Sequence, residues 1–207
     1  PFEQSSVFQA ALLLREAGQD ALAERFLLHL EESLPPEQIA PLAALALDWR
    51  DTHLALRLGK RAASDGVVLV PAYYPIPDLT THDLGVPEEL VLAIARRESE
   101  FDHRVVSHAG AMGLMQVMPG TAKMMAEEIG EPYQEARLTT DATYNARLGG
   151  AYLRHLREEF GPSIVLVAAG YNAGPGRPRR WMTEMGDPRV GTVDVVDWVE
   201  MIPFDET

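Results

Sequence analysis

The sequence predicts an all-α chain in two parts, helical hairpins followed by a larger helical domain. Three observations carry this. Apolar residues recur at helical spacing from Ser6 to Met201, clusters of proline and glycine separate the runs, and one irregular stretch, residues 66–86, divides the chain. The two parts are therefore expected at residues 1–66 and 67–207. A length of 207 residues and an apolar content of 46% suffice for a continuous core, which excludes a disordered or disulfide-stapled chain. No run approaches the ~20 apolar residues of a membrane helix, so no transmembrane segment is expected.

In the first part, Ser6 to Ala17 carries Val7, Ala10, Ala11 and Leu14 at helical spacing and ends at Gly18, and Ala21 to Leu34 stops at Pro35-Pro36. Gln38 to Asp48 and Thr52 to Ala63 repeat the arrangement, with Leu22, Arg25 and Phe26 falling on Leu54, Arg57 and Leu58. That spacing suits stacked helix pairs and equally two ordinary hairpins. Val67-Val68-Leu69-Val70 has the pattern of a short strand, and Pro71, Pro75, Pro77 and the polar turn Thr80 to Asp83 prevent a helix from crossing the junction. Beyond it, Pro87-Glu88-Glu89 opens a helix that runs to about Phe101, with its acids where free amides favour them. A glycine-spaced stretch with room for a small hairpin, residues 102–118, comes next. Helices follow at Thr121 to Ile129, Ala142 to Phe160 and Ile164 to Tyr171, then an Arg-rich one ending near Gly186 and a last one from Val193 to Met201.

With 31 acidic against 18 basic residues, the formal charge is -13. Such a surface repels nucleic acid, which needs a basic footprint, and disfavours anionic lipid. Lysine occurs at Lys60 and Lys123 alone, so positive surface is made of arginine. The absence of cysteine excludes thiol catalysis, iron–sulfur clusters and Cys-ligated zinc. His103 and His108 lack the accompanying residues of a metal motif, so neither metal nor cofactor is expected.

The chemistry-bearing feature is a carboxylate out of place. Glu98 falls on the apolar stripe of Leu90, Val91, Ile94, Ala95 and Phe101, where it either reaches past the stripe to solvent or an arginine, or is buried. Burial raises a carboxyl pKa and suits it to protonate a leaving group. Ser107, Gly110, Gly113 and Gly120 then punctuate a segment in which Gln116 supplies an amide donor and acceptor, while Met115 and Met118 are either core filler or a groove floor. In Ala168 to Gly176, Asn172 and Gly174 form a helix-ending turn that would orient Tyr171, whose ring packs whether or not its hydroxyl is functional. A Tyr171→Phe change should thus leave stability nearly untouched. Arg177, Arg179 and Arg180 are a solvated face first and an anion contact second.

Four ordered segments carry a resemblance: Ala95 to Phe101; Ser107 with Gly110 to Ala122; Ala169 to Gly176; and Glu200 to Thr207. Together they resemble the motifs of the soluble lytic transglycosylases of bacterial cell walls, over roughly residues 67–207. The preceding hairpins resemble the end of that family's α-superhelical region. The resemblance implies a lysozyme-like catalytic domain that cleaves the β-1,4 bond between N-acetylmuramic acid and N-acetylglucosamine of peptidoglycan glycan strands and leaves 1,6-anhydro ends. It implies Glu98 as the catalytic acid/base and Ser107, Gln116, Met118, Tyr171 and Glu200 at the substrate. Met115 and Asn172, beside them in the same motifs, are expected there too, and Arg177, Arg179 and Arg180, directly after the Tyr171 turn, are expected by their charge as stem-peptide carboxylate contacts. The resemblance also implies a periplasmic or cell-envelope location, the targeting segment being absent from this chain. Asp102-His103 stands where the family has Asn-Pro. The chain ends at Glu206-Thr207, where the family continues with an Arg and a Tyr-Val pair in one more helix, so a C-terminal truncation is expected. Asp102, four residues after Glu98, stays open as a second carboxylate, which leaves muramidase hydrolysis as an alternative, and the missing C-terminal helix leaves an inactive glycan-binding module as another.

Overall fold

The structure, a computed structural model, describes residues 1–79 and 84–203. The turn expected at Thr80 to Asp83 and the last part of the C-terminal motif, Phe204 to Thr207, lie outside the described residues. Two compact units divide at Asp78 and Leu79.

The first unit comprises a 3-10 turn (Phe2–Gln4) and helices α1 (Ser6–Glu16), α2 (Asp20–Glu31), α3 (Pro36–Asp48), α4 (Thr52–Ser64) and α5 (Val70–Tyr73). Ser5 and Asp51 cap α1 and α4, accepting from the amides of Val7 and Leu54. One core joins the helices through Phe8, Leu27, Leu42, Leu54 and Leu58, with Ala11, Ala43, Ala46 and Ala55 allowing close approach. The unit extends past the boundary expected at residue 66 because α5 docks on α4. A Cβ at Gly59 would lie 2.7 Å from the backbone of Ala72 and Tyr73, so this contact exists because residue 59 has no side chain. The expected strand at Val67 to Val70 does not form: Val67 to Leu69 are irregular, and Val70 opens the one-turn helix α5.

In the second unit α6 (Glu88–Ser99), α7 (Pro119–Ile129), α8 (Arg137–Thr140), α9 (Ala142–Phe160), α10 (Ile164–Ala173), α11 (Gly176–Met185) and α12 (Val195–Glu200) follow in order. Helix α9 is the hub: α6, α7, α8 and α10 all pack on it. Its buried residues Tyr144, Leu148, Leu153, Leu156 and Phe160 form the spine of the core. Asp141 starts it, accepting from the Tyr144 amide at 2.9 Å and pairing with Arg137. The Tyr144 amide and then Arg137 hold the Asp141 carboxyl below its ordinary range. Trp181 and Trp198 meet edge to face and tie α12 to α11. Asp194 caps α12, which therefore begins at Val195 rather than Val193.

Strand pairing among the described residues amounts to isolated antiparallel bridges, Val106 with Met112 and Met112 with Val117, inside the segment between α6 and α7. No helix among the described residues is long and apolar enough to cross a membrane.

Candidate active site

The geometry begins at the end of α6. The buried row of this helix is Val91, Ala95 and Ser99, while Glu98 lies in the adjoining, half-buried row with Leu90 and Ile94. The carboxylate thus occupies the edge of the apolar stripe rather than its centre. Helix α6 stops immediately afterwards, at Glu100 and Phe101, which adopt φ of 53° and 69°. Two successive non-glycine residues in the left-handed region are costly and persist where surrounding packing fixes them; Phe101 is buried and serves as that anchor. Asp102 then closes a local turn, its Oδ1 accepting from the Arg104 backbone amide at 3.0 Å and from its guanidinium at 3.1 Å.

The glycine-spaced segment folds back against α6 and α9. Ser99 donates its hydroxyl to Leu114 O at 2.6 Å. Gly113 has φ of 75°, and a Cβ there would lie 1.8 Å from Leu138 O, so glycine is required on both conformational and steric grounds. Ser107 accepts the Ala111 amide at 2.9 Å and holds the neighbouring turn. Gln116, at φ 49°, donates its side-chain amide to Gly113 O at 2.8 Å and Val105 O at 3.1 Å. Both donors of that amide serve the loop, and what Gln116 offers the cleft is its carbonyl oxygen, an acceptor.

From α10, Tyr171 donates its hydroxyl to Met115 O at 2.8 Å and sets its ring against Tyr152 with centroids 5.4 Å apart. Burial of the hydroxyl, then the negative charge of Glu98 and then Tyr152, hold this phenol well above its ordinary value of 10.0. It is a neutral donor throughout the physiological range, and Glu98 is near enough to act on it. Gln116, Met118, Thr121, Tyr152, Tyr171 and Asn172 line a cleft of about 270 Å³.

Five expected contacts are not brought to that cleft in the expected way, and neither Glu98 nor Ser107 is among its lining residues. Met115 is fully buried, its sulfur packed over Gly149 of α9, so its carbonyl and not its side chain serves the site. Glu200 is exposed at the end of α12. Trp198, two positions earlier, faces the core and donates its indole to Gly186 O, which turns Glu200 to the opposite side. Arg179 forms a two-pronged pair with Glu159, one prong at 2.7 Å, and Arg180 approaches Glu184 at 3.6 Å. Neither arginine, nor Arg177, is among the cleft residues. Tyr152 and Thr121, which the sequence did not single out, are. The tyrosine shares an i, i+4 row of α9 with the buried Leu148 and Leu156, so its spacing reads as core and gives no sequence signal for a place at the cleft. Among the described residues no three His, Asp or Glu side chains gather as a metal site.

Comparison with known proteins adds independent findings. The family model for the transglycosylase SLT domain matches residues 79–189. The soluble lytic murein transglycosylase of Escherichia coli (strain K12) is 40% identical over 137 residues, 66% of this chain and 21% of that protein. A putative soluble lytic murein transglycosylase of Haemophilus influenzae is 32% identical across 100% of this chain and 34% of its own length. The chain therefore spans between about a fifth and a third of these relatives. Among solved structures, an inactive glutamate-to-glutamine mutant of lytic transglycosylase Slt from Pseudomonas aeruginosa superposes with a TM-score of 0.83 at 30% identity, covering 99% of this chain and 33% of that one. The 70 kDa soluble lytic transglycosylase of Escherichia coli gives 0.82 at 29% identity, with the same coverage.

Proposed function

Because the chain belongs to the transglycosylase SLT domain family, we propose that it cleaves the β-1,4 bond between N-acetylmuramic acid and N-acetylglucosamine in peptidoglycan and leaves 1,6-anhydromuramic acid ends. The observation that carries this reading is the placement of Glu98 in the last turn of α6, half-buried and electrostatically linked to Tyr171, which lines a cleft that has no carboxylate among its described lining residues. A hydrolase of the usual kind needs a second carboxylate about 5–9.5 Å from the first. Asp102 is engaged by Arg104 instead.

In the proposed reaction protonated Glu98 gives its proton to the glycosidic oxygen as the bond to the anomeric carbon breaks. The substrate's acetamido oxygen closes on that carbon. Glu98, now a carboxylate, takes the proton of the 6-hydroxyl, whose oxygen displaces the acetamido oxygen and forms the anhydro ring. Glu98 ends protonated, and no water is consumed. Tyr171 has committed its proton to Met115 O, which leaves its oxygen as an acceptor for the acetamido N–H. The Gln116 carbonyl is a second acceptor, and the half-exposed Met118 offers an apolar contact to a sugar face. Asn172 and Ser107 are proposed as flanking contacts, and the substrate places the protein in the periplasm or elsewhere in the cell envelope.

The inactive glutamate-to-glutamine relative supports a reading in which one glutamate is indispensable to the reaction. Digestion of purified peptidoglycan followed by mass spectrometry tests the reading. Fragments lighter by one water than their hydrolytic counterparts support it, whereas normal reducing ends indicate a muramidase and bound but uncut glycan a binding module.

A further inference from the structure

Asn145, in the first turn of α9, is completely buried and lines no part of the cleft. Its amide is fully engaged. Oδ1 accepts the Met115 backbone amide at 2.8 Å, and Nδ2 donates to Met112 O at 2.8 Å and Leu138 O at 2.9 Å. We propose that Asn145 is a positioning residue for the Tyr171 hydroxyl, acting through the backbone of Met115.

The peptide between Leu114 and Met115 has its two polar groups fixed from two helices, its carbonyl by Ser99 of α6 and its N–H by Asn145 of α9. The next peptide carries the Met115 carbonyl, and its N–H is fixed on Gly113 O at 3.1 Å. With both planes set, the direction of the Met115 carbonyl is set as well. That carbonyl is the acceptor of the Tyr171 hydroxyl. The aim of the phenol, the group that senses Glu98, therefore depends on a buried amide that touches no ligand. A buried polar network with every member satisfied is rigid, and this one joins α6, α8, α9 and α10 at a single loop. Gly113 completes the arrangement, since a Cβ there would lie 2.4 Å from Asn145 Nδ2.

The kinetic half of the test rests on the transglycosylase reading, and the spectroscopic half does not. Tyrosine is labelled with carbon-13 at the ring carbon bearing oxygen, and the Tyr171 signal, assigned by its loss in Tyr171→Phe, is followed in three variants. Asn145→Leu removes every hydrogen bond at similar volume. Asn145→Asp keeps the acceptor for the Met115 amide, and Ser99→Ala releases the other side of the same peptide.

In folded Asn145→Leu the Tyr171 signal is expected to move and kcat to fall about 10- to 100-fold, the scale of a misplaced reacting group, with KM little changed. Asn145→Asp should restore most of both. An unmoved Tyr171 signal in folded Asn145→Leu, or a kcat loss that only follows the unfolded fraction, overturns the proposal. Should Asn145→Leu fail to fold, Ser99→Ala decides: a smaller shift of the same signal supports the proposal, and no shift overturns it. A wild-type protein that leaves peptidoglycan uncut contradicts the proposed function, while the Tyr171 signal still decides the positioning role.

Discussion

Replacing Tyr171 by Phe deletes one oxygen and keeps the ring against Tyr152, so the change isolates the 2.8 Å bond to Met115 O. Because Met115 is completely buried, its carbonyl loses a partner that water cannot readily replace. Leaving such an acceptor unpaired costs about 1–2 kcal/mol. In a unit of this size that corresponds to a fall of about 3–8 °C in melting temperature. The sequence alone suggested near-neutrality, because ring packing is legible there and the hydroxyl's partner, 56 residues away, is not. Calorimetry, with Trp181 and Trp198 fluorescence in a Trp49→Phe background, reads the second unit. The stability gap should also depend on pH. The folded phenol titrates above 10.0, so an unfolded chain releases a proton that the folded chain keeps, and wild-type stability falls as pH rises beyond that value. The gap is full below about pH 10 and narrows above it. Turnover should fall about tenfold or more through loss of orientation. A Tyr171→Phe protein that melts with the wild type and turns over at its rate would mean that the bond to Met115 O serves neither stability nor turnover.

Gly113→Ala should fail to give a folded second unit, or lose more than about 3 kcal/mol, since the new Cβ meets Leu138 O at 1.8 Å in a left-handed backbone; a normal urea midpoint would contradict the tight loop. Glu31 of α2 is buried, and its carboxyl is pushed up by burial against the opposing pull of Arg61, whose Nε approaches at 2.6 Å. Raised above 4.5, this group contributes stability that is full below that pH and lost as pH rises through its folded value. Glu31→Gln should therefore gain on the wild type in melting temperature between pH 4 and pH 7, and a constant difference would overturn the assignment. With Arg179 held by Glu159 and Arg180 beside Glu184, replacing Arg177, Arg179 and Arg180 by Gln should change affinity for peptide-bearing and peptide-free glycan equally. A selective loss with the peptide-bearing strand would mean that these arginines leave their acids to read it.

Most helices were legible because their periodicity is local: α9, the hub, has the bounds its pattern implies. The junction was not. Val67 to Val70 has β-branched character, and nothing near it in sequence reveals that Gly59 offers a seat for the following turn. Within the site the same distinction holds. Glu98, Gln116, Met118 and Tyr171 stand out by their chemistry amid apolar or glycine-rich neighbours. Whether a methionine faces a groove or a core depends on a glycine of another helix, here Gly149 under Met115. Which atoms of Gln116 face outward depends on two backbone carbonyls of its own loop. A basic cluster counted along the chain also misses its neutralising acid when that acid, Glu159, lies on a different helix.

In the proposed reaction one glutamate, Glu98, performs both proton transfers without water. The most direct test of this role is mass spectrometry of peptidoglycan digested by the wild type and by Glu98→Gln, which keeps the side-chain shape but can neither give nor retrieve a proton. Anhydro-ended fragments are expected from the wild type and none from a Glu98→Gln protein that still folds and binds glycan. Anhydro-ended fragments from Glu98→Gln at the wild-type rate would contradict that role.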